Sequence, residues 1–166
     1  MPDPGDERTF RQVAKRSAGI VLYRRSGGDP EVLLVHPGGP YWARKDAGAW
    51  SFPKGEHDDG DDPLACALRE FEEEIGRALP PGELIDLGSV RQKGGKVVRA
   101  WAAQGDLDAG EVRSNTFTIQ WPPRSGRTAE FPEIDRAGWF GVDAAREKLV
   151  TAQTELLDRL LERLVP

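Results

Sequence analysis

The sequence predicts one α/β domain in which helices flank a mixed β-sheet. Apolar runs of strand length alternate with turn residues along most of the chain. A central segment and the C-terminal segment instead repeat their apolar residues at helical spacing. With 166 residues, 38% of them hydrophobic, the chain is long enough to bury one core. We therefore expect residues 13–166 to form a single domain, preceded by a flexible arm over residues 1–12.

The first half of the chain begins with two buried strands. Residues 15–25 carry the apolar run Ala18–Tyr23, and residues 31–36 carry Val32–Val35. Because Gly27–Pro30 is typical of a turn, the two strands are expected to pair as a hairpin.

A long connection over residues 37–49 follows these strands. Connections of this length are uncommon unless they bind something or move. Trp42 lies here beside Arg44 and Lys45, a combination that suits a nucleotide base and its phosphates. An equally good interpretation is that Trp42 only fills the core.

The second half predicts more strands and two helices. Residues 84–92 and 97–105 are expected to form another hairpin, and residues 115–121 alternate polar and apolar residues as a half-buried strand does. Residues 122–128 indicate a polar loop, and residues 138–140 a short strand. Asp143 is expected to cap a helix that ends at Leu149, and residues 152–164 form the last helix with a leucine-rich face.

The central helix is predicted from its ends and from its apolar stripe. Asp61 or Asp62 is a suitable N-cap, Pro63 suits the first helical position, and Gly76 suits the C-terminal end. Four apolar residues recur at helical spacing: Leu64, Leu68, Phe71 and Ile75.

Three acidic residues share the opposite arc of this helix. Glu70 and Glu74 are like charges one turn apart, which costs roughly 0.2–0.5 kcal/mol, and Glu73 lies between them. The helix dipole also disfavours anions toward the C-terminal end. A divalent cation would offset this repulsion, and Mg2+ prefers oxygen ligands. A solvated acidic face is the alternative, and for a bare run of charges it is the more common one.

The residues from Gly55 to Arg77 favour the metal site. Gly55, Arg69, Glu70, Phe71, Glu73, Glu74 and Gly76 stand at the spacing of the Nudix box, G-x5-E-x7-R-E-U-x-E-E-x-G-U, where U is bulky and apolar. The sequence therefore resembles the Nudix hydrolase family, of the MutT-like pyrophosphohydrolase type. It departs from the pattern at Asp61, where the family has Glu, and at Arg77, where the family has an aliphatic residue.

The resemblance implies a fold, a reaction and a set of site residues. The fold is a Nudix-type α/β/α sandwich with a mixed sheet, a catalytic loop and helix, and a C-terminal helix. Mg2+, for which Mn2+ can substitute, would be held by Glu70, Glu73, Glu74 and the backbone at Gly55, with Arg69 holding Glu73. The base that takes a proton from water would be Glu73, Glu74 or, on a downstream loop, Glu133, with Glu130 in reserve.

The implied reaction is hydrolysis of a diphosphate linked to another group. Nucleoside triphosphates and dinucleoside polyphosphates are slightly favoured, and nucleotide sugars and other linked diphosphates remain open. A nucleotide-sensing module without turnover is the alternative. Lys54 supplies a positive charge next to Gly55, and Arg16 on the first strand is a weaker candidate for a phosphate contact.

Composition limits the partners. A net charge of -5 argues against binding to bulk nucleic acid, and no apolar run reaches the ~20 residues of a membrane span. The lone Cys66 excludes an internal disulfide and fits a reducing cytoplasm; it is expected on the polar side of the central helix. Either a monomer or a homodimer is compatible with the sequence.

Overall fold

The computed structural model describes residues 15–165, and the predicted arm over residues 1–12 lies outside them. The elements run in the order β1 (Arg16–Arg24), β2 (Glu31–Pro37), β3 (Lys54–His57), α1 (Pro63–Ile75), β4 (Leu84–Arg91), β5 (Val97–Gln104), β6 (Thr116–Gln120), β7 (Thr128–Pro132), β8 (Ile134–Phe140), α2 (Val142–Lys148) and α3 (Thr154–Leu164). Short 3-10 turns occur at Ala109–Glu111 and Thr151–Gln153. None of the helices described is long and apolar enough to cross a membrane.

Strand β1 lies at the centre of the larger sheet, whose order is β4-β5-β1-β2-β8. One edge of β1 runs parallel to β5 along its length. The other edge is divided, because β3 pairs with its first residues, Arg16–Gly19, and β2 pairs only with its last, Tyr23 and Arg24. This division lets the backbone of β3 enter the sheet and brings Gly55 opposite Ala18.

Both faces of the sheet are covered, as the predicted sandwich requires. Along β1, Ala18, Ile20 and Leu22 belong to one apolar cluster, which includes Phe71 and Ile75 of α1. Val21 and Tyr23 belong to a second cluster on the opposite face, with the leucines of α3. This alternation follows from the period of two in a strand. The mixed α/β fold expected from the sequence is confirmed.

A small second sheet joins β6 and β7 in antiparallel register. The strand over 128–132 was not predicted, and β8 begins at Ile134 rather than at Gly138. Two helix starts also differ from expectation. Gly141 occupies the N-cap of α2, with Asp143 in its first turn, and the last helix begins at Thr154 because a 3-10 turn precedes it.

Candidate active site

Hydrogen bonds at both ends of helix α1 define where the helix that carries the acidic arc begins and ends. The Asp62 carboxylate accepts a hydrogen bond from the Ala65 N–H at 3.2 Å, and Pro63 follows as the first helical residue. Gly76 adopts a left-handed φ of 83° and its N–H donates to the Glu72 carbonyl at 2.8 Å. Phe71 and Ile75 of the apolar stripe belong to the same core cluster as Ile20 and Leu22 of β1.

Glu70 lies directly over β3. A Cβ atom at Gly55 would lie 2.0 Å from its Cδ atom, so only glycine leaves room for this carboxylate. Burial, and next the neighbouring Glu73 carboxylate, raise the pKa of Glu70. Arg69 reaches Glu70 at 3.4 Å and Glu73 at 3.8 Å, which places its guanidinium between the two. A role of Arg69 in holding Glu73 stays a prediction.

Glu74 and Lys54 face each other across the junction of α1 and β3. Burial raises the pKa of Glu74 to about 8, although the Lys54 ammonium and a hydrogen bond from the Lys54 backbone oppose that rise. Burial, assisted by the nearby Lys96, lowers the pKa of Lys54 to about 8. Both side chains are therefore poised to change charge near neutral pH, as groups at active sites often are.

The acidic residues fit a hard divalent cation by their chemistry. Over residues 15–165, no three Asp, Glu, His or Cys side chains already stand together as a metal site. Instead, Glu73 raises the pKa of Glu70, and Glu70 and Glu133 each raise the pKa of Glu74. The repulsion that raises the pKa of Glu70 and of Glu74 is one that a dication bound by carboxylate oxygens would offset.

A cavity of about 300 Å³ is lined by two of these carboxylates, Glu74 and Glu133, but not by Glu70 or Glu73. Trp42 lies on one wall, and Lys54, Glu74 and Glu133 line the same space. The other lining residues are Val35, Pro37, Ala49, Ser51, Gln92, Ile134, Val150 and Gln153. A mixed aromatic, apolar and charged lining is typical of a small-molecule site.

Backbone hydrogen bonds place Glu133 at this cavity. The Asn115 N–H donates to the Glu73 carbonyl at 3.1 Å, and the Glu133 N–H donates to the Asn115 carbonyl at 2.9 Å. The Gly38 N–H in turn donates to the Glu133 carbonyl at 2.8 Å. The loop that carries Glu133 is thus tied both to α1 and to the end of β2. We call this series the backbone clamp.

Three predicted substrate contacts lie away from the cavity lining. Arg16 forms an ion pair with Asp59 at 2.9 Å, and Arg44 lies in the exposed part of the 37–49 connection. Lys45 places its ammonium 5.0 Å from the centre of the Trp42 ring. A role for these cations in substrate binding stays a prediction.

Gln153 is a cavity residue that the sequence analysis missed. Its side chain is fully buried; its Oε1 atom accepts from the Phe52 N–H at 3.0 Å and its Nε2 atom donates to Gln92 at 3.1 Å. These partners are far away in the chain, so no local pattern could reveal them. Cys66 lies on the Glu70 side of α1, as expected, but its thiol is buried against the carbonyls of β3 rather than exposed on a polar face.

The two departures from the motif have simple local explanations. The Asp61 carboxylate accepts a hydrogen bond from the Asp58 N–H at 3.0 Å, so the shorter side chain still closes the acidic loop. Arg77 lies beyond the helix and forms an exposed ion pair with Glu111. Neither residue disturbs the glutamates.

Comparison with known proteins identifies the family. The model of the NUDIX domain family matches residues 13–160. The chain belongs to the Nudix family. The matched segment contains the acidic arc of α1, the cavity and the backbone clamp.

Two curated proteins that are similar in sequence to this Nudix domain are named as hydrolases. An RNA pyrophosphohydrolase of Agrobacterium fabrum is 28% identical over 127 residues, which cover 68% of this chain and 69% of the relative. An 8-oxo-(d)GTP phosphatase of Mycolicibacterium smegmatis is 31% identical over 146 residues, 81% of this chain but only 37% of the relative. Family and relatives together identify a hydrolase that acts on phosphoric anhydrides.

Solved structures support the same fold. An Ap4A hydrolase of C. elegans in a binary complex superposes with a TM-score of 0.64 at 23% identity, covering 89% of this chain and 97% of that one. The NUDIX domain of Shewanella oneidensis NrtR complexed with ADP ribose gives a TM-score of 0.63 at 17% identity, covering 99% and 94%.

Proposed function

We propose that this Nudix hydrolase is a Mg2+-dependent pyrophosphohydrolase of nucleoside-diphosphate-linked compounds. Within this class, nucleoside triphosphates and dinucleoside polyphosphates are the favoured substrates. The observation that carries the proposal is the cavity, which is lined both by the aromatic ring of Trp42 and by the charged residues Lys54, Glu74 and Glu133. One ligand can therefore place a base against the ring and its phosphates against the charged end.

The glutamates of α1 would hold the cation. Glu70, Glu73 and Glu74 supply the oxygen ligands, and Gly55 leaves room for Glu70. When bound, Mg2+ neutralises phosphate charge and makes water a better nucleophile at neutral pH. Arg69 keeps Glu70 and Glu73 from separating while the site is empty of substrate.

The reaction is attack of water on a phosphorus atom, with a nucleotide or phosphate as the leaving group. Glu133 is exposed at the cavity and can accept a proton from the attacking water, as Glu73 or Glu74 also could. Lys54 lies next to Glu74 and places its ammonium where it can stabilise charge on the phosphate oxygens.

The charge balance of the site favours a polyphosphate over an uncharged substrate. The carboxylates alone would repel an anion, so cations must lie between enzyme and substrate. Lys96 lies near Lys54, which lines the cavity, and the Lys45 ammonium lies over the ring of Trp42, which lines it too. A chain of several phosphates could contact both regions, which is why long phosphate chains are favoured.

The decisive experiment is a screen of nucleoside-diphosphate compounds with Mg2+ or Mn2+, in which products are identified. Each substrate that is hydrolysed would then be tested in 18O-labelled water. The product that carries the label shows which phosphorus the water attacks. We expect turnover that requires the metal and that Glu133→Gln reduces strongly if Glu133 is the base. Binding of nucleotides without turnover across the whole panel would instead favour a sensing module.

A further inference from the structure

A buried side-chain amide joins three separate segments of the chain at the wall of the cavity. Gln153, in the 3-10 turn before α3, has no exposed surface, and its own N–H donates to the Val150 carbonyl at 2.9 Å. Its side chain contacts Phe52, shortly before β3, and Gln92, in the turn between β4 and β5. Gln92 and Gln153 both line the cavity, and the reaction described above uses neither.

One backbone N–H fixes the direction of the hydrogen bonds in this group. The Phe52 N–H can only donate, so the atom of Gln153 that faces it at 3.0 Å must be the carbonyl oxygen Oε1. Nε2 of Gln153 therefore donates to Gln92 at 3.1 Å, and the atom that accepts must be Oε1 of Gln92. Exchanging oxygen and nitrogen in either amide would place two donors against each other. We call this series, from Phe52 through Gln153 to Gln92, the amide relay.

The amide relay leaves the Nε2 group of Gln92 without a partner. Within residues 15–165, the Gln92 side chain makes a single hydrogen bond, the one through its oxygen. Gln92 is half-buried, and the only fully buried side-chain polar atom without a partner in this range is Oγ of Ser17. The Gln92 nitrogen therefore keeps accessible surface, with two protons to donate.

Backbone hydrogen bonds hold Gln92 in place. Its N–H donates to the Lys96 carbonyl at 2.7 Å, and its carbonyl accepts from the Gly95 N–H at 3.0 Å. Both ends of the side chain are thus restrained, one by the turn and the other by Gln153. A donor that is oriented before binding loses little entropy when it meets a ligand.

The lining around Gln92 suits a base better than a phosphate. The charged lining residues, which suit metal ions and phosphates, are Lys54, Glu74 and Glu133. Gln92 is instead bonded to Gln153, whose Nε2 also donates to the Ser51 hydroxyl at 3.1 Å, and neither partner is charged. An uncharged donor matches an uncharged acceptor, such as the carbonyl oxygen of guanine, hypoxanthine or uracil. Adenine and cytosine carry an amino group at the corresponding position, and its hydrogens would face those of the Gln92 amide.

We propose that Gln92 determines base specificity by donating to the carbonyl group of a keto base, and that Gln153 is the positioning residue that keeps the Gln92 NH2 group toward the cavity. The choice of base rests on the proposed function, whereas the direction of the amide relay does not. A donor left facing another donor loses more than one hydrogen bond, so we expect about tenfold discrimination from this single contact.

ITP and ATP isolate the contact. They carry the same triphosphate and differ at C6 of the purine, which bears a carbonyl in ITP and an amino group in ATP. The ratio of their kcat/KM values therefore cancels the contacts to metal and phosphate. With Mg2+ at pH 7, we expect a ratio of about ten in favour of ITP, and GTP should behave as ITP does. A ratio near one, or a preference for GTP that ITP does not share, would overturn the proposal.

Gln92→Glu should invert this preference. One carboxylate oxygen can still accept from Gln153, and the other presents an acceptor to the base, so the ratio of ITP to ATP should fall below one. Gln92→Leu offers neither group, so its ratio should be about one. Gln104→Glu is the matched control, because Gln104 is exposed at the end of β5 and outside the cavity lining. It should keep the ratio of the wild type, and an unchanged ratio in Gln92→Glu would refute the role of Gln92.

Gln153→Met tests the positioning role. Methionine has a similar length but no amide, so the Gln92 amide is free to present either its oxygen or its nitrogen. We expect the preference for ITP to fall to less than about threefold although Gln92 is unchanged. A preference that stays near tenfold would show that Gln153 does not orient Gln92. If the variant does not fold, the measurement on the wild type described next tests the same point.

The amide relay can be measured without any nucleotide. In NMR spectra of the full chain, the side-chain NH2 protons of Gln153 should exchange slowly with water and those of Gln92 quickly, with Gln92→Leu assigning the second pair. Slow exchange at both amides would overturn the proposal. Hydrolysis of ITP and ATP at equal efficiency would overturn it as well and leave the proposed function standing. If no nucleotide is hydrolysed, the proposed function fails, and the Kd values of ITP and ATP with Mg2+ decide: tenfold tighter binding of ITP supports the role of Gln92, and equal or absent binding refutes it.

Discussion

Gly55→Ala should lower kcat strongly while lowering the free energy of unfolding only slightly. The added Cβ would lie 2.0 Å from Cδ and 2.2 Å from Oε2 of Glu70. Carbon atoms in contact prefer about 3.5–4.0 Å, so the carboxyl group must move by roughly 1.5–2 Å. Glu70 ends a flexible side chain and Gly55 does not have a left-handed φ, so the unfolding free energy should fall by only about 1 kcal/mol. A displacement of 1 Å in a catalytic group can cost about a hundredfold in rate, so kcat should fall at least that much.

The assay compares kcat with saturating Mg2+ and urea unfolding for Gly55→Ala and Gly60→Ala. Gly60 lies in the loop that follows β3, has no left-handed φ, and a Cβ there would meet nothing within 4 Å. This control should therefore keep both activity and stability. Full activity in Gly55→Ala would refute the argument that Glu70 needs this space. A loss of activity accompanied by more than about 3 kcal/mol of destabilisation would show that the glycine serves the fold instead.

Three further changes test separate parts of the site. Glu73→Gln should lower kcat at least roughly a hundredfold and raise the Mg2+ concentration needed for half activity. Glu72→Gln, on the exposed side of α1, should change neither quantity. Measuring the activity of both variants over a Mg2+ titration tests this difference. Burial raises the pKa of Glu74 from 4.5 to about 8, so the contribution of its proton to stability is fully present below pH 4.5 and is lost as the pH rises through 8. In urea unfolding of the metal-free protein, the wild type should therefore lose stability between pH 5 and 8, and Glu74→Gln should not. At pH 8, Glu74→Gln should be more stable than the wild type by at least about 1 kcal/mol. An equal decline in both proteins would contradict the burial of this carboxyl group. Gly38→Ala places a Cβ 1.9 Å from the backbone oxygen of Pro132, which cannot rotate away, so it should destabilise by about 2–3 kcal/mol in the same unfolding assay, in contrast to Gly55→Ala.

The sequence predicted those parts of the fold that local patterns encode. The central helix carries its own cap, its own C-terminal glycine and one apolar stripe, and it begins and ends near where these signals place it. The hairpins of β1–β2 and β4–β5 are likewise encoded by apolar runs around turn residues.

Other elements depend on partners that lie far away in the chain. Strand β3 has the sequence Lys-Gly-Glu-His, without any apolar alternation, and exists because Arg16–Gly19 offers it a free edge. Strand β7 was hidden by flanking polar and proline residues, although Ala129 and Phe131 do alternate toward one face. No periodicity rule could have placed β3.

The candidate site divides in the same way. The acidic arc and Gly55 lie within one continuous segment, so their spacing could be compared with a known motif. Glu133 was proposed only through the family resemblance, and the backbone clamp that positions it joins residues from four separate segments. The amide relay likewise joins residues up to 101 positions apart, which a sequence pattern does not reveal.

The backbone clamp holds the small sheet at its base and leaves the far turn, residues 121–127, outside these bonds. A Cβ at Gly126 would meet nothing within 4 Å, so the space around this residue is open. A fluorophore or an affinity peptide attached there would lie at one end of the β6–β7 sheet, whose other end adjoins the cavity. Such an attachment would allow the protein to be immobilised or followed by fluorescence without a change at the active-site residues.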